Sequence, residues 1–233
     1  MPITKTELVR SVRNLPLSSS RHGILMARAY VSFLQKEAYD EYTKLWVKKQ
    51  TDGYANLWRG ASSHLYFSWA WRPSLGGAPK NPSLMMKIYR IADTCLAKSV
   101  KLLPDSPDAN SAYGFFLWRA RADYARGRAL MEKAIKLNPR NVGYRTRLAD
   151  VLSNPRSSKE DLERAEFELL TATKLSSTAG SPRLLLARHY MMLGKYTKAQ
   201  SAMNDYLKLI PPNVKPFPGV QTMRRTIQEG LRA

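Results

Sequence analysis

The sequence predicts an all-α fold of helix-turn-helix hairpins stacked as a tetratricopeptide-type solenoid, and three observations predict it. Apolar residues recur at spacings of three and four along most of the chain, with no alternating strand pattern of any length. The helical runs are closed by Pro104, Pro139 and Pro211, which have no amide hydrogen to continue a helix. Residues 184–211 form one complete hairpin whose parts recur upstream. A single hairpin cannot bury its own apolar stripe, so recurrence is what makes the fold stable. With 233 residues and 44% apolar content the chain can bury a continuous core.

Taken in order, residues 1–21 form a basic N-terminal extension or targeting segment. Lys5, Arg10, Arg13, Arg21 and Arg28 face only Glu7 in the first 35 residues. With Ser11, serines at 18–20, and Ile3, Val9, Val12 and Leu15 near helical spacing, the segment reads either as a mitochondrial targeting helix or as an extension packed on a partner. Residues 22–211 carry the repeats. A degenerate unit at 24–49 keeps Ala38, Tyr42, Leu45 and Trp46 in helical register without a closing proline. A first helix at 54–71 pairs with a second marked by Ala92, Leu96 and Ser99. The loop 72–81 between them, with Pro73, Gly76, Gly77 and Pro79, is expected to be exposed and mobile. Trp118, Gly127, Met131 and Ala134 mark the next hairpin. Leu148, Ala149 and Leu152, then Ala165, Leu169 and Ala172, mark another, with extra residues in the turn at 154–158. In the last, Leu186, Ala187, Tyr190 and Leu193 form one stripe, Gly194 turns the chain beside Lys195, and Tyr196, Ala199, Met203 and Tyr206 form the returning stripe. Residues 212–233 are a linker and a C-terminal amphipathic helix with Val220, Met223, Ile227 and Leu231. It serves as a cap for the stack, or as a docking helix for another protein.

The unit at 184–211 resembles a tetratricopeptide repeat of about 34 residues in Tyr190, the Gly194-Lys195-Tyr196 turn, the small Ala199 and the closing Pro211. Leu57-Trp58-Arg59, the long insertion after them, and the stretches AKSVKLLPDSPDA, MEKAIKLNPRN and SPRLLLARHYMMLGKYTKA are similar to the regulator of microtubule dynamics family over roughly 38–211. That resemblance implies a non-enzymatic adaptor at microtubules and at contacts between mitochondria and the endoplasmic reticulum. The chain departs from the family in its strong basic charge and in having no apolar N-terminal run of membrane-spanning length.

The repeat resemblance also implies that the first helix of each unit lines a partner groove. Carried across, those positions are Arg59, Ser63, Tyr66 and Phe67, then Phe116, Arg119 and Ala120, then Thr146 and Asp150, then Leu184, Arg188 and Met191. The lysine-asparagine clamp of chaperone-binding members has no counterpart here, so the expected groove ligand is an acidic or extended peptide.

Thirty-eight basic and eighteen acidic residues leave a net charge of +20, distributed along the whole chain. The densest part is an anionic-partner belt of Arg119, Arg121, Arg126, Arg128, Lys133, Lys136, Arg140, Arg145 and Arg147, against Asp123 and Glu132. Arginines near Phe116, Trp118, Tyr124 and Tyr144 could track a phosphate backbone and stack bases, although the spacing of these aromatics assigns them to the core. The charge itself calls for an anionic partner: RNA, an acidic protein surface, or the headgroups of an anionic membrane.

Catalysis has little support. Cys95 is the only cysteine, which excludes an internal disulfide, and it falls on a packed helix as a buried thiol. His22, His64 and His189 lie on three separate helices with no metal-ligand spacing, and Gly76-Gly77 is followed by no lysine-serine pair. Glu160, Asp161, Glu163, Glu166 and Glu168 read as the start and exposed face of one helix. No catalytic, cofactor-binding or metal residue is predicted, no cofactor is expected, and no apolar run reaches the ~18 residues of a transmembrane segment. The leading expectation is a non-enzymatic scaffold or adaptor subunit that binds other proteins within a larger mitochondrial assembly. The alternatives are an RNA-binding component of an organellar ribosome or other ribonucleoprotein, and a microtubule or anionic-membrane adaptor, with the cytoplasm as the other compartment.

Overall fold

The computed structural model describes residues 2–32, 34–70, 81–154, 157–211, 216 and 218–232. All regular structure among them is helical. The elements are α1 (Lys5–Asn14), α2 (Arg21–Val31), α3 (Gln35–Val47), α4 (Gly53–Ala70), α5 (Pro82–Leu102), α6 (Pro107–Phe116), α7 (Tyr124–Leu137), α8 (Val142–Leu152), α9 (Lys159–Leu175), α10 (Gly180–Met192), α11 (Tyr196–Leu207) and α12 (Pro218–Gly230). The expected all-α hairpin fold is what forms.

Local chemistry starts and stops these helices. Thr4 and Glu7 close a reciprocal capping box on α1. Asn81, Ser106, Asn141 and Ser158 each accept a backbone N–H from the first turn of α5, α6, α8 and α9, and Pro82 and Pro107 occupy first-turn positions where no amide hydrogen is needed. Gly194, at φ +68°, supplies the left-handed residue that reverses the chain between α10 and α11.

The chain divides into two compact units, residues 1–137 and 138–233. The predicted repeat segment 22–211 spans both. In the first, α2 and α3, α4 and α5, and α6 and α7 pair as hairpins, and α1 packs on α2 and α3. Leu8 and Val12 of α1 are buried with Tyr42, Leu57, Leu96, Phe116 and Leu117 in one core. The Ile3 amide donates to Ser32 Oγ at 2.8 Å, Trp58 Nε1 donates to the Leu17 carbonyl at 2.6 Å, and Arg13 pairs with Glu41 at 3.2 Å. The apolar face of the basic N-terminal helix therefore lies inside this chain's own core. Two glycines let α6 and α7 touch: a Cβ on Gly114 would stand 2.6 Å from the Gly127 carbonyl oxygen, and one on Gly127 would stand 2.8 Å from that of Gly114.

In the second unit α8 pairs with α9 and α10 with α11, and α12 packs on α11 and α10. Leu148, Ala149, Leu152, Ala165, Leu169, Ala172, Ala187, Ala199 and Met203 are buried along the predicted stripes. Val220 and Ile227 of α12 are buried while Leu231 is exposed, so α12 covers the last hairpin in the manner of a cap.

One side-chain role recurs through both units. Near the start of the first helix of each hairpin, a polar side chain reaches back to the carbonyls of the preceding turn. His22 Nε2 is 3.1 Å from Pro16 O, and Asn56 donates to Gln50 O and Asp52 O at 2.8 and 2.7 Å. Asn110 donates to Pro104 O and Ser106 O, both at 2.8 Å. Arg145 donates to Pro139 O at 2.8 Å, and Arg183 to Ser176 O and Ala179 O at 3.2 and 2.7 Å. These bonds tie each first helix to the turn before it; some of the carbonyls, such as Pro16 O, Asp52 O and Ser106 O, also accept a backbone N–H and use a second lone pair here. The residue type changes while the role persists.

Two departures from the sequence reading concern the helices themselves. The last turn of α6 widens into a π-helical segment, Leu117–Arg121, closed by Ala122 in the left-handed region at φ 55°. Glu168, read as part of an exposed acidic face, is fully buried: Arg145 and Arg164 both pair with it, the latter at 2.7 Å. Within the expected loop 72–81, residues 72–80 lie outside the described residues, as do 155–156 of the turn insertion and 212–215 and 217 of the linker.

Candidate functional site

In the first unit, the predicted groove residues fall into two aromatic clusters. Arg59 is 3% exposed, and its guanidinium lies 4.2 Å over the Tyr39 ring and donates to Ser63 Oγ at 2.9 Å and to Tyr39 Oη at 3.0 Å. Tyr39 in turn packs on the half-buried Tyr66 at 5.3 Å, which joins Arg59, Ser63 and Tyr66 through α3. Phe67 packs on Tyr89 at 5.4 Å and Tyr89 on Phe116 at 5.4 Å, while Tyr89 Oη donates to Ala120 O at 3.1 Å. Burial raises the Tyr89 hydroxyl pKa. Arg59, Ser63 and Phe116 are therefore inside the packing, because the α4 and α6 positions they occupy face α3 and α5. Tyr66, Phe67, Ala120 and Arg119 keep accessible surface, and the Arg119 guanidinium lies 5.7 Å over the Phe115 ring.

In the second unit, Thr146 turns back to the Val142 carbonyl at 2.7 Å, and Arg188 of α10 pairs with Asp150 of α8. Leu184 and Met191 are partly exposed.

The arginine belt is divided between the units, with Arg119 to Lys136 in the first and Arg140, Arg145 and Arg147 in the second. Acids outside the segment answer several of its charges. Arg121 pairs with Asp93, Lys133 lies 3.4 Å from Asp105 and donates to Pro104 O, and Arg145 pairs with Glu168. Arg128 pairs within its own helix with Glu132 at 2.9 Å, and Arg126 lies 5.3 Å over the Tyr113 ring. Arg147 is partly buried on α8. Lys136 and Arg140 are exposed, with no carboxylate within 4.0 Å among the described residues. Phe116 and Tyr144 are buried, as the repeat spacing predicts; Trp118 packs edge-on against Tyr124 at 5.0 Å, and Tyr124 is 55% exposed.

A surface that the sequence reading missed lies in the second unit. Between α9 and α11, with α10 beneath, runs an open trough of about 430 Å³. Leu170, Leu186, Tyr190 and Ala202 form its apolar floor, and Lys174, Arg183 and Lys198 its cationic rim. Phe167, one turn before Leu170 on α9, is 55% exposed beneath the Arg164 guanidinium at 5.5 Å. The available signal was Phe167 and Leu170 standing three apart, off the Ala165–Leu169–Ala172 stripe. A second open trough, about 410 Å³, lies in the first unit, where Arg10, Arg21 and Arg28 surround Leu15, Ile24 and Leu25.

The three histidines are separate. His22 is buried, 2.9 Å from Tyr42 Oη, and burial lowers its pKa. His64 packs against Phe115 and Phe116. His189 is buried, 2.9 Å from Ser153 Oγ, and burial lowers its pKa as well. Cys95 is buried and its thiol pKa is raised by desolvation. Among the described residues no three His, Cys, Asp or Glu side chains are placed to hold a metal ion, and no helix is long and apolar enough to cross a membrane.

No protein-family model matches the sequence, and no curated protein is significantly similar to it. Solved structures do match the fold. A tetratricopeptide-repeat protein of Thermus thermophilus, TTC0263, superposes with a TM-score of 0.63 at 14% identity, covering 99% of this chain and 100% of that one. Yeast Tom70 matches with a TM-score of 0.55 at 12% identity, covering 98% of this chain and 43% of that one. YrrB, described as a tetratricopeptide-repeat protein with an unusual peptide-binding site, matches with a TM-score of 0.50 at 11% identity over 99% of this chain and 100% of that one. The chain has the tetratricopeptide-repeat fold.

Proposed function

We propose that the protein is a non-enzymatic scaffold that binds other proteins as a subunit of a larger assembly. The observation that carries this reading is the form of the accessible sites: open troughs with apolar floors and cationic rims on stacked helical hairpins. Such surfaces suit a segment of another protein better than a small molecule, which requires an enclosing pocket. Peptide binding by YrrB, a protein of the same fold, lends support.

An acidic protein partner suits the charge better than RNA does. Arg121, Arg128 and Arg145 of the belt are paired internally, and of the four aromatics beside it Phe116 and Tyr144 have no ring face open to a base, which leaves Tyr124 and part of Trp118. A mitochondrial location is proposed on the basic, acid-poor composition of the N-terminus alone, since α1 is packed into the core of the first unit, and the adaptor role implied by the microtubule-regulator resemblance is a cytoplasmic variant of the same scaffold function. The test is purification of the native protein under mild conditions, with and without nuclease, followed by identification of what co-purifies. The reading expects protein partners that survive nuclease; release from all partners by nuclease, or a lone monomer, would refute it.

A further inference from the structure

We propose that the trough between α9 and α11 is a docking site for an acidic amphipathic helix of a partner protein. Its apolar side chains would rest on Leu170, Leu186 and Ala202, and its carboxylates would face Lys174 and Arg183. The proposal rests on the scaffold reading and names the chemistry of one partner segment.

Three features point to that occupant. The walls are two helices, α9 of 17 residues and α11 of 12, flanking α10, which is the geometry that receives a further helix by ridge-and-groove packing. Apolar groups gather here: Leu170, 38% exposed, lines the trough with Leu186 and Ala202, each 7% exposed, and Phe167, 55% exposed, stands one turn away on α9. An apolar trough inside a charged rim suits the apolar face of an amphipathic helix.

The third feature is charge. The nearby carboxylates are already answered: Asp205 by Lys208 at 3.0 Å, and Glu166 by Lys195 and Lys198 at 3.8 Å each and by the Tyr190 hydroxyl at 2.7 Å. Lys174, in the last turn of α9, has no carboxylate within 4.0 Å among the described residues, and Arg183, in the first turn of α10, donates only to the neutral carbonyls of Ser176 and Ala179. The unanswered charge on the trough is therefore positive. An RNA backbone would satisfy the cations but leave the apolar floor wet, whereas an acidic amphipathic helix satisfies both.

The test uses the full-length protein and a fluorescent helical peptide of about 15 residues, long enough for isolated helix to begin to form, with leucines at i, i+3 and i+7 and glutamates on the flanks. A matched peptide has glutamine for every glutamate, and a single-stranded RNA oligomer is the third probe. The expected result is that the acidic peptide binds, that Lys174→Glu and Leu170→Glu each weaken it tenfold or more, and that Lys136→Glu on the exposed face of α7 leaves it unchanged. Both trough positions are accessible, so unaltered helical circular dichroism should show that these variants fold. No binding of the acidic peptide, equal binding of the glutamine peptide or of the RNA, or an equal loss in Lys136→Glu would overturn the proposal. If Lys174→Glu still co-purifies with every native partner, the trough proposal falls while the scaffold reading stands.

Discussion

Replacing Glu168 with glutamine tests how the second unit is held together. Glu168 has no exposed surface, Arg145 keeps only 12% of its side chain exposed, and Arg164 keeps 45%. Glutamine preserves the shape but removes the charge, leaving Arg145 desolvated beside a neutral group. Breaking a buried pair in this way costs about 3–5 kcal/mol. The Pro139 carbonyl that Arg145 also reaches, at 2.8 Å, argues for the lower end, ~3 kcal/mol. Arg164→Ala removes the solvent-screened partner and should cost no more than ~1 kcal/mol. The double change Glu168→Leu with Arg145→Met replaces the buried pair with apolar volume and should recover most of the loss. Urea unfolding followed by circular dichroism reads each difference as a shift in midpoint at constant slope. A loss below ~1 kcal/mol for Glu168→Gln, or a larger loss for Arg164→Ala, would refute the argument that burial sets the strength of this pair.

Two further outcomes follow from the packing and the buried histidines. Gly127→Ala should destabilise by about 1–3 kcal/mol, since the new methyl meets the backbone of Gly114 and Trp118 at 2.8 and 3.0 Å, whereas Gly23→Ala, with nothing within 4 Å, should stabilise α2 by up to ~1 kcal/mol; thermal unfolding of the two variants checks the opposite signs. Burial holds the pKa of His22 and of His189 below the ordinary value, so the unfolded chain takes up these protons first as pH falls. Stability should be complete above pH ~6.5 and decline below it, more gently in His22→Gln; a urea midpoint that stays flat or rises from pH 7 to 5 would contradict the neutral, buried state of these rings.

Much of the fold was legible because helix periodicity, capping residues and prolines act over a few neighbouring positions. The stripes through Leu148, Leu169, Ala187 and Met203, the turn at Gly194 and the capping helix with Val220 and Ile227 are all of this kind. The surface was less legible. Arg59 and Ser63 look like groove residues by repeat position, yet the Tyr39 ring from another helix covers the Arg59 guanidinium, which in turn bonds Ser63. Glu168 looks exposed by its neighbours, yet its partner Arg145 is 23 residues away. The carbonyl-binding position near the start of each first helix was hidden because histidine, asparagine and arginine take turns at it.

The linear order of residues determined that the chain is helical, where it turns, which stripes are buried and that its net charge is +20, because these follow from local backbone preference, apolar spacing and simple composition. Which charges are answered internally was decided only by tertiary structure. A charge is neutralised or left free by what packs within a few ångströms of it, and that neighbour is often distant in sequence. Arg121 and Arg145 found acids in this way, while Lys174 and Arg183 did not. That difference separates a generally basic protein from one with a particular cationic trough.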